Sequence, residues 1–268
     1  MRPLLAAFVL CLAPLAALAQ SETLQPSKAE KVTETRTLPL KNGSTLALRN
    51  VNGAVSLEAW DREELEFTGE FKPSSRDEHV KVTLERSAKG LEIVGKPPKS
   101  QEGRGSFRSA ECRMTLKVPR RILASVSTVN GSVTLQGTQG EIALESVNGA
   151  VAASSHSDGL KVKTVNGSIR IEAVRGGLKL NTVNGGIEAK GVQTQGGSLE
   201  AATVNGQIHI QATGLQGKLD ASTVNGSLSL KAKGAEQVEV SKRRMSAVFG
   251  GGSQPISLST VNGSITIE

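Results

Sequence analysis

The tripeptide Val-Asn-Gly recurs eight times, beginning at Val51, Val129, Val147, Val165, Val183, Val204, Val224 and Val261. From Val129 onward the steps are 18, 18, 18, 21, 20 and 37 residues. A nearly fixed period of this length marks a repeat architecture, in which one supersecondary unit stacks on copies of itself. Such a chain declares its shape more readily than its chemistry, because the recurring residues serve the stacking.

Within the unit, apolar residues alternate on both sides of the tripeptide. Leu178 and Leu180 precede it, and Ile187 and Ala189 follow it. The same layout appears around Val162, Ile169 and Ile171, around Leu219, Ala221, Leu228 and Leu230, and around Ile256, Leu258, Ile265 and Ile267. A period of two is the pattern of strands. Asn-Gly between strands is also the strongest short hairpin signal. In a two-residue hairpin the valine would face the residue after glycine. Those residues are Ser132, Ala150, Ser168, Gly186, Gln207, Ser227 and Ser264, small or polar, with no need of an unvarying valine opposite them.

Stacked coils supply that need. Equivalent residues then lie about 4.8 Å apart, and the valines form one apolar row inside. Asn130, Asn148, Asn166, Asn184, Asn205, Asn225 and Asn262 become a structural amide ladder at a corner. The glycines allow the positive φ that a tight corner demands. The expectation is an all-β, β-helix-like solenoid of stacked coils of about 18–21 residues, with a less regular N-terminal β part. About eight coils from residue 129 onward would make a rod about 40 Å long. Aromatic residues are only 2% of the chain, so the core must be thin and filled by Val, Ile, Leu and Ala.

The N-terminus reads as a signal peptide over residues 1–19. It has Arg2, an apolar stretch from Leu4 to Leu18, and an Ala17-Leu18-Ala19 cleavage site that leaves Gln20 first. The stretch is short for a membrane span and is interrupted by Pro14. No transmembrane span is expected after cleavage. Residues 20–36 are a polar, flexible lead-in. Residues 37–121 form an irregular N-terminal β region or cap, with an exposed loop from Lys96 to Arg108. Residues 122–268 are the regular Val-Asn-Gly solenoid. Degenerate coils would fill the long steps from Val51 to Val129 and from Val224 to Val261.

The copies of Thr-Val-Asn-Gly-Ser-Val at 128–133, the Val118-Pro119 lead-in, and the early Val-Asn-Gly followed by Trp60-Asp61-Arg62 carry a resemblance. Over residues 40–268 the chain resembles the bacterial DUF4097 family of adhesin-like β-strand repeat proteins, which is similar to the head domains of autotransporter adhesins. The resemblance implies an exported or envelope-attached β-solenoid, sometimes linked with envelope stress. It brings no catalytic residues. No translocating barrel or wall-sorting tail follows the repeats, so the expected location is periplasmic or envelope-associated, or secreted.

The residues argue against several chemistries. The net charge of +7 falls to +6 without Arg2, and its basic residues are scattered among carboxylates. Without exposed aromatics for stacking, no nucleic acid is expected as a partner. An anionic envelope polymer or an envelope protein suits this balance better. The alternative is a carbohydrate-active enzyme, a polysaccharide lyase or hydrolase on a β-helix. Glycoside hydrolysis usually needs two facing carboxylates, yet Asp61, Asp77, Asp158 and Asp220 lie in four separate contexts. His79, His156 and His209 show no metal-ligand spacing, and His209 is read as a surface residue. No catalytic residue, metal or cofactor is expected. Thr128, Ser146, Thr164, Thr182, Thr203, Thr223 and Thr260 form one hydroxyl row, which makes ice binding a minor alternative. Cys112, in an alternating segment, reads as a buried strand thiol, with pairing to a partner chain as its alternative.

Two places stand out as candidate interaction surfaces. One is the interruption holding Lys242, Arg243, Arg244 and Phe249. The other is the C-terminal coil, Ser259 to Ile267, which keeps the repeat pattern without an atypical cap. An open coil edge there would invite homo-oligomerisation or strand addition.

Overall fold

One coil shows how the unit is built. The computed structural model describes residues 21–27, 30–74, 76–98, 109–194 and 196–268. In it Leu160–Lys163 and Ile169–Glu172 are short strands. Leu160, Val162, Ile169 and Ile171 are buried, whereas Lys161, Lys163, Arg170 and Glu172 are exposed. Alternation gives each strand one dry face and one wet face. Both dry faces join one continuous core, and residues 164–168 turn the corner between them.

The N-terminal strands are β1 (Ser21–Leu24), β2 (Val32–Pro39), β3 (Thr45–Arg49), β4 (Val55–Trp60), β5 (Glu64–Lys72), β6 (Lys81–Ser87), β7 (Gly90–Lys96) and β8 (Glu111–Pro119). The regular coils follow as β9 (Leu123–Asn130), β10 (Val133–Gln136), β11 (Ile142–Asn148), β12 (Val151–Ser154), β13 (Leu160–Lys163), β14 (Ile169–Glu172), β15 (Leu178–Asn181), β16 (Ile187–Gln193), β17 (Leu199–Asn205) and β18 (Ile208–Gly214). The last strands are β19 (Gly217–Asn225), β20 (Leu228–Leu230), β21 (Ala235–Val240), β22 (Arg244–Phe249), β23 (Pro255–Asn262) and β24 (Ile265–Ile267). There is no helix among the described residues, and so none long and apolar enough to cross a membrane.

The protein is an all-β solenoid of two sheets. The 13-stranded sheet runs β1-β6-β7-β3-β9-β11-β13-β15-β17-β23-β19-β22-β21. The 11-stranded sheet runs β2-β5-β8-β4-β10-β12-β14-β16-β18-β24-β20. Each regular coil contributes one strand to each sheet. Successive coils pair parallel and in register: Leu160 lies between Ile142 and Leu178, and Ile169 between Val151 and Ile187. Like therefore stacks on like, and each row of the core is one residue type or its close substitutes.

Of the degenerate coils expected in the long steps, the described residues show one, the parallel β7–β8 layer in the first step; the rest of both steps is antiparallel. The Val51 coil, β3–β4, pairs directly with the Val129 coil, β9–β10. The intervening chain leaves the stack and returns. Its strands β7 and β8 pair parallel with the far side of β3 and β4. Strands β6 and β5 then pair antiparallel with β7 and β8, and β1 and β2 close the end antiparallel to β6 and β5. Phe67 and Phe71, fully buried on β5, fill this end of the core. The signal peptide and residues 99–108 of the expected loop lie outside the described residues.

The other end repeats the manoeuvre. The C-terminal coil, β23–β24, is not an end at all. It is inserted between β17–β18 and β19–β20, pairing parallel with both. The first and last Val-Asn-Gly copies are thus both internal layers, which is why the last one needs no cap. The step from Val224 to Val261 is spanned by the β21–β22 hairpin, which lies antiparallel on β19.

This placement has a measurable consequence. Ile256, Leu258, Ile265 and Ile267 are buried on both sides by neighbouring layers. Their burial is worth roughly 6–12 kcal/mol, comparable to the whole stability of an ordinary domain. Deleting residues 253–268 should abolish the cooperative thermal transition followed by circular dichroism at 218 nm or nearby. Removal of a coil at the end of a stack would merely lower its midpoint.

Candidate binding surface

The corner Thr-Val-Asn-Gly assigns each of its residues a different task. Counting by twos from Leu178 and Leu180 brings Thr182 into the core, and Val183 therefore points outward. The same holds in every regular coil. Thr128, Ser146, Thr164, Thr182, Thr203, Thr223 and Thr260 are 3–5% exposed. The valines that follow them are 38–50% exposed. The expected inner valine row is thus an outer one, because the strand phase carries through to the threonine. The hydroxyls are also unavailable to water or ice. Each donates to the carbonyl of a glycine in a neighbouring coil, at 2.9–3.3 Å.

The asparagines form one continuous chain of amide hydrogen bonds. Its spatial order is Asn52, Asn130, Asn148, Asn166, Asn184, Asn205, Asn262, Asn225, with Nδ2 to Oδ1 distances of 2.8–3.0 Å. Sequence reasoning left out Asn52, although its Val-Asn-Gly setting marked it. Each amide has two donor hydrogens and two acceptor lone pairs. The ladder uses one of each in its interior members, so one of each still faces outward.

The corner glycines serve close approach, not positive φ. Gly53 alone of the eight has a positive φ, 124°. A Cβ on Gly131, Gly149, Gly167, Gly185, Gly206, Gly226 or Gly263 would lie 1.8–2.2 Å from the carbonyl oxygen of the adjacent coil's glycine. The backbones touch there, and no side chain fits. The neighbouring position is different. A Cβ on Gly186 would meet its nearest atom, the Gln207 carbonyl oxygen, at 3.4 Å.

The outcome is an exposed ribbon along one corner of the rod. Val129, Val147, Val165 and Val183 line one side of a shallow trough of about 470 Å³. Ser127, Glu145, Lys163 and Asn181 line the other side. Elsewhere on the strand faces, charges in adjacent coils largely offset one another. Arg170 reaches Glu188 at 3.0 Å, Lys179 reaches Glu200 at 2.6 Å, and Lys163 lies 3.8 Å from Glu145. Hydrogen bonds from Lys190 and then Arg170 hold the Glu188 carboxyl below the usual carboxylate range.

The basic interruption is only partly a surface. Lys242 and Arg243 are exposed in the turn between β21 and β22. Arg244 is exposed and grips Asp220 through Nε and Nη2, at 3.1 and 2.5 Å. Phe249 is 3% exposed and belongs to the core. Alternation along β22 turns Met245, Ala247 and Phe249 inward together, so the phenyl ring is not part of any outer patch.

The groups considered for catalysis are dispersed. Asp61 is paired with Arg120, Asp220 with Arg244, and Asp158 sits in a corner at φ 85°. Among the described residues no three His, Cys, Asp or Glu side chains converge as a metal site. His209 lies on a strand face 3.5 Å from Glu268, whereas His79 and His156 are buried. Cys112 has no exposure, and burial pushes its thiol up to about 12. It is a buried, protonated core residue.

Stacked parallel coils, a two-sheet core and a corner repeat define a β-solenoid repeat protein. The chain belongs to the family described as Toastrack DUF4097, whose model matches residues 23–268. No curated protein matches it. Among solved structures it is similar to a “putative adhesin” of Bacteroides fragilis NCTC 9343, at 15% identity and TM-score 0.49, covering 89% of this chain and 97% of that one. It is similar also to a “putative cell adhesion protein” of Clostridium sporogenes ATCC 15579, at 11% identity and TM-score 0.42, covering 89% and 99%. A “putative lipid binding protein” of Parabacteroides distasonis ATCC 8503 shares 13% identity at TM-score 0.37, covering 88% and 96%.

Gly185→Ala should lower stability by at least about 3 kcal/mol, since backbone must move to admit the methyl. Gly186→Ala, one residue on, should change it by less than about 1 kcal/mol; urea denaturation of the two variants side by side tests the contrast. At the other corner, His156 Nδ1 lies 3.0 Å from Thr138 Oγ1, and burial lowers the imidazole pKa. The unfolded chain therefore binds the proton more tightly, and stability falls as pH drops below the ordinary imidazole value near 6.5. Val174 holds the equivalent place in the next coil, so His156→Val should fold and should lessen the loss of melting temperature between about pH 7 and 5.

Proposed function

We propose that the protein is an exported, non-catalytic binding protein of the cell envelope, adhesin-like in its mode of action. Its target is an extended envelope polymer or an envelope protein lying along the rod. The observation that carries this reading is the valine ribbon. Seven regular coils present the same β-branched side chain outward, next to a ladder of amides with free valences. Stacking alone would be satisfied by the threonine, asparagine and glycine. A row of identical apolar and amide groups offers a long partner the same contact at every coil, and weak contacts multiplied along a rigid track give useful affinity.

Export is inferred from residues 1–19 and their Ala-Leu-Ala site, and the absence of a catalytic centre from the dispersal of carboxylates and histidines described above. The test is co-sedimentation of the protein recovered after export, which should begin at Gln20. Isolated sacculi, outer-membrane vesicles and extracellular polysaccharide serve as ligands at low and high salt, with released sugar assayed in the supernatant. Retention without sugar release is the expected result. The triple variant Val147→Thr, Val165→Thr, Val183→Thr keeps shape and strand propensity but loses apolarity. It should bind more than about 10-fold less tightly, roughly three methyl groups' worth of contact at partial burial. Sugar release would instead identify a carbohydrate-active enzyme. Undiminished retention of the triple variant would remove the ribbon from the binding surface.

A further inference from the structure

The two sheets do not end together at both ends of the rod. Beyond the β3–β4 coil each sheet continues for three strands, so that end is flush. Beyond the β19–β20 coil the larger sheet carries two more strands, β22 and β21, and the smaller sheet stops at β20. This leaves a step two strands deep, about 10 Å.

The two ends also differ in chemistry. At the flush end the outer strand β2 carries Glu34, Arg36 and Pro39, with Arg36 bonded to Glu22 at 2.5 Å and neighbouring Lys31 to Glu70 at 2.7 Å. Charge and proline on an edge strand discourage further pairing. At the stepped end β20 is Leu-Ser-Leu. The Ser227 carbonyl accepts from Ile265, and the Lys231 amide donates to the Ile267 carbonyl. Alternation then turns the backbone groups of Leu228 and Leu230 toward the open side. Val240, Val224 and Val238 are 60%, 50% and 48% exposed, the three most exposed large apolar residues among those described, and all lie at this end.

The projecting piece and the missing piece are the same size. What projects is a two-stranded hairpin, and what the short sheet lacks is two strands. We infer that the stepped end is a self-association joint. Two copies meet end to end about a two-fold axis, and the β21–β22 hairpin of each fills the step of the other. Strand β21 adds to the open edge of β20, and Val238 and Val240 leave solvent. An isologous contact of this kind closes at two copies and does not polymerise. Strand addition supplies main-chain hydrogen bonds at an edge that has none. Strand β21 carries Glu236 and Glu239 with a bulge between them, features that limit pairing with unrelated chains; Lys233, Lys242 and Arg243, close in sequence, supply the opposite charge that a second copy would bring to them. The joint is independent of the ribbon and of the envelope reading.

The experiment is sedimentation equilibrium of the exported protein from about 1 μM to about 1 mM, a range chosen because one hairpin per copy makes an interface at the small, weak end of specific contacts. Small-angle scattering at the highest concentration accompanies it. A monomer–dimer equilibrium is expected, with a maximum dimension close to twice that of the monomer. The double variant Val238→Lys, Val240→Lys, at two exposed positions, should weaken it at least about 10-fold with an unchanged circular dichroism spectrum. Thr33→Lys at the flush end should leave it intact. A protein that stays monomeric throughout, a dimer no longer than the monomer, or a dimer equally weakened by Thr33→Lys overturns the joint. The scattering result decides even where the lysine variant fails to fold.

Discussion

Everything in this molecule depends on backbones meeting at one corner without side chains between them. Equivalent coils sit about 4.8 Å apart, and at the tripeptide corner that spacing leaves no room for a Cβ. Glycine is therefore fixed by its neighbour in the next coil, not by its own dihedrals. Once the corner is fixed, its other residues follow. The threonine before it satisfies a glycine carbonyl that would otherwise be buried without a partner, and the asparagine extends the ladder. A change in any coil is felt by the coils above and below, so the repeat is uniform because its neighbours police it.

A stack of parallel strands has a second problem, its two ends. Open edges recruit other chains, and the usual remedy is an atypical repeat at each terminus. This chain takes another route. It lays its first regular coil and its last regular coil inside the stack, each flanked on both sides, and covers three of the four sheet ends with antiparallel strands drawn from the N-terminal segment and the long interruptions, leaving only β20 of the coil strands at an edge. Chain termini are where fraying begins in most proteins. Here the terminal Val-Asn-Gly copies at Val51 and Val261 are held as firmly as the middle ones. The arrangement demands long-range pairing, since β4 must wait for β10 and β18 must wait for β24. Folding of such non-local contacts is intrinsically slow.

Much of this was legible in the sequence. The period announced stacking, alternation announced strands, and the recurrence of asparagine announced an amide ladder. The phase of the valine was also there to be read. Leu178, Leu180 and Thr182 are spaced by two, and only the expectation that an unvarying aliphatic must be buried turned Val183 inward. Phe249 was misplaced for the same kind of reason. A phenylalanine beside three cations looked like a surface, although Met245 and Ala247 before it share its phase. The insertion of β23–β24 between earlier coils was not legible. Parallel in-register pairing is indifferent to chain order when every coil carries the same residues, and Ile256 fits beside Leu199 as well as beside Leu219. The uniformity that makes the repeat readable conceals its order.

The same uniformity shapes what the surface can do. An enzyme needs several unlike groups converging on one point, held by a supporting shell. A stack of near-identical coils produces rows, and a row repeats one group and brings no second kind to face it. Convergence could arise where the repeat is broken, in the N-terminal excursion and around β21 and β22. There the ionisable side chains found are paired across strands, as with Asp61 and Arg120 or Asp220 and Arg244, or stand apart. What remains is a long surface of constant chemistry. On the binding role proposed above, selectivity would come from matching a partner's own length and repeat, because no single coil differs enough from the next to be recognised alone.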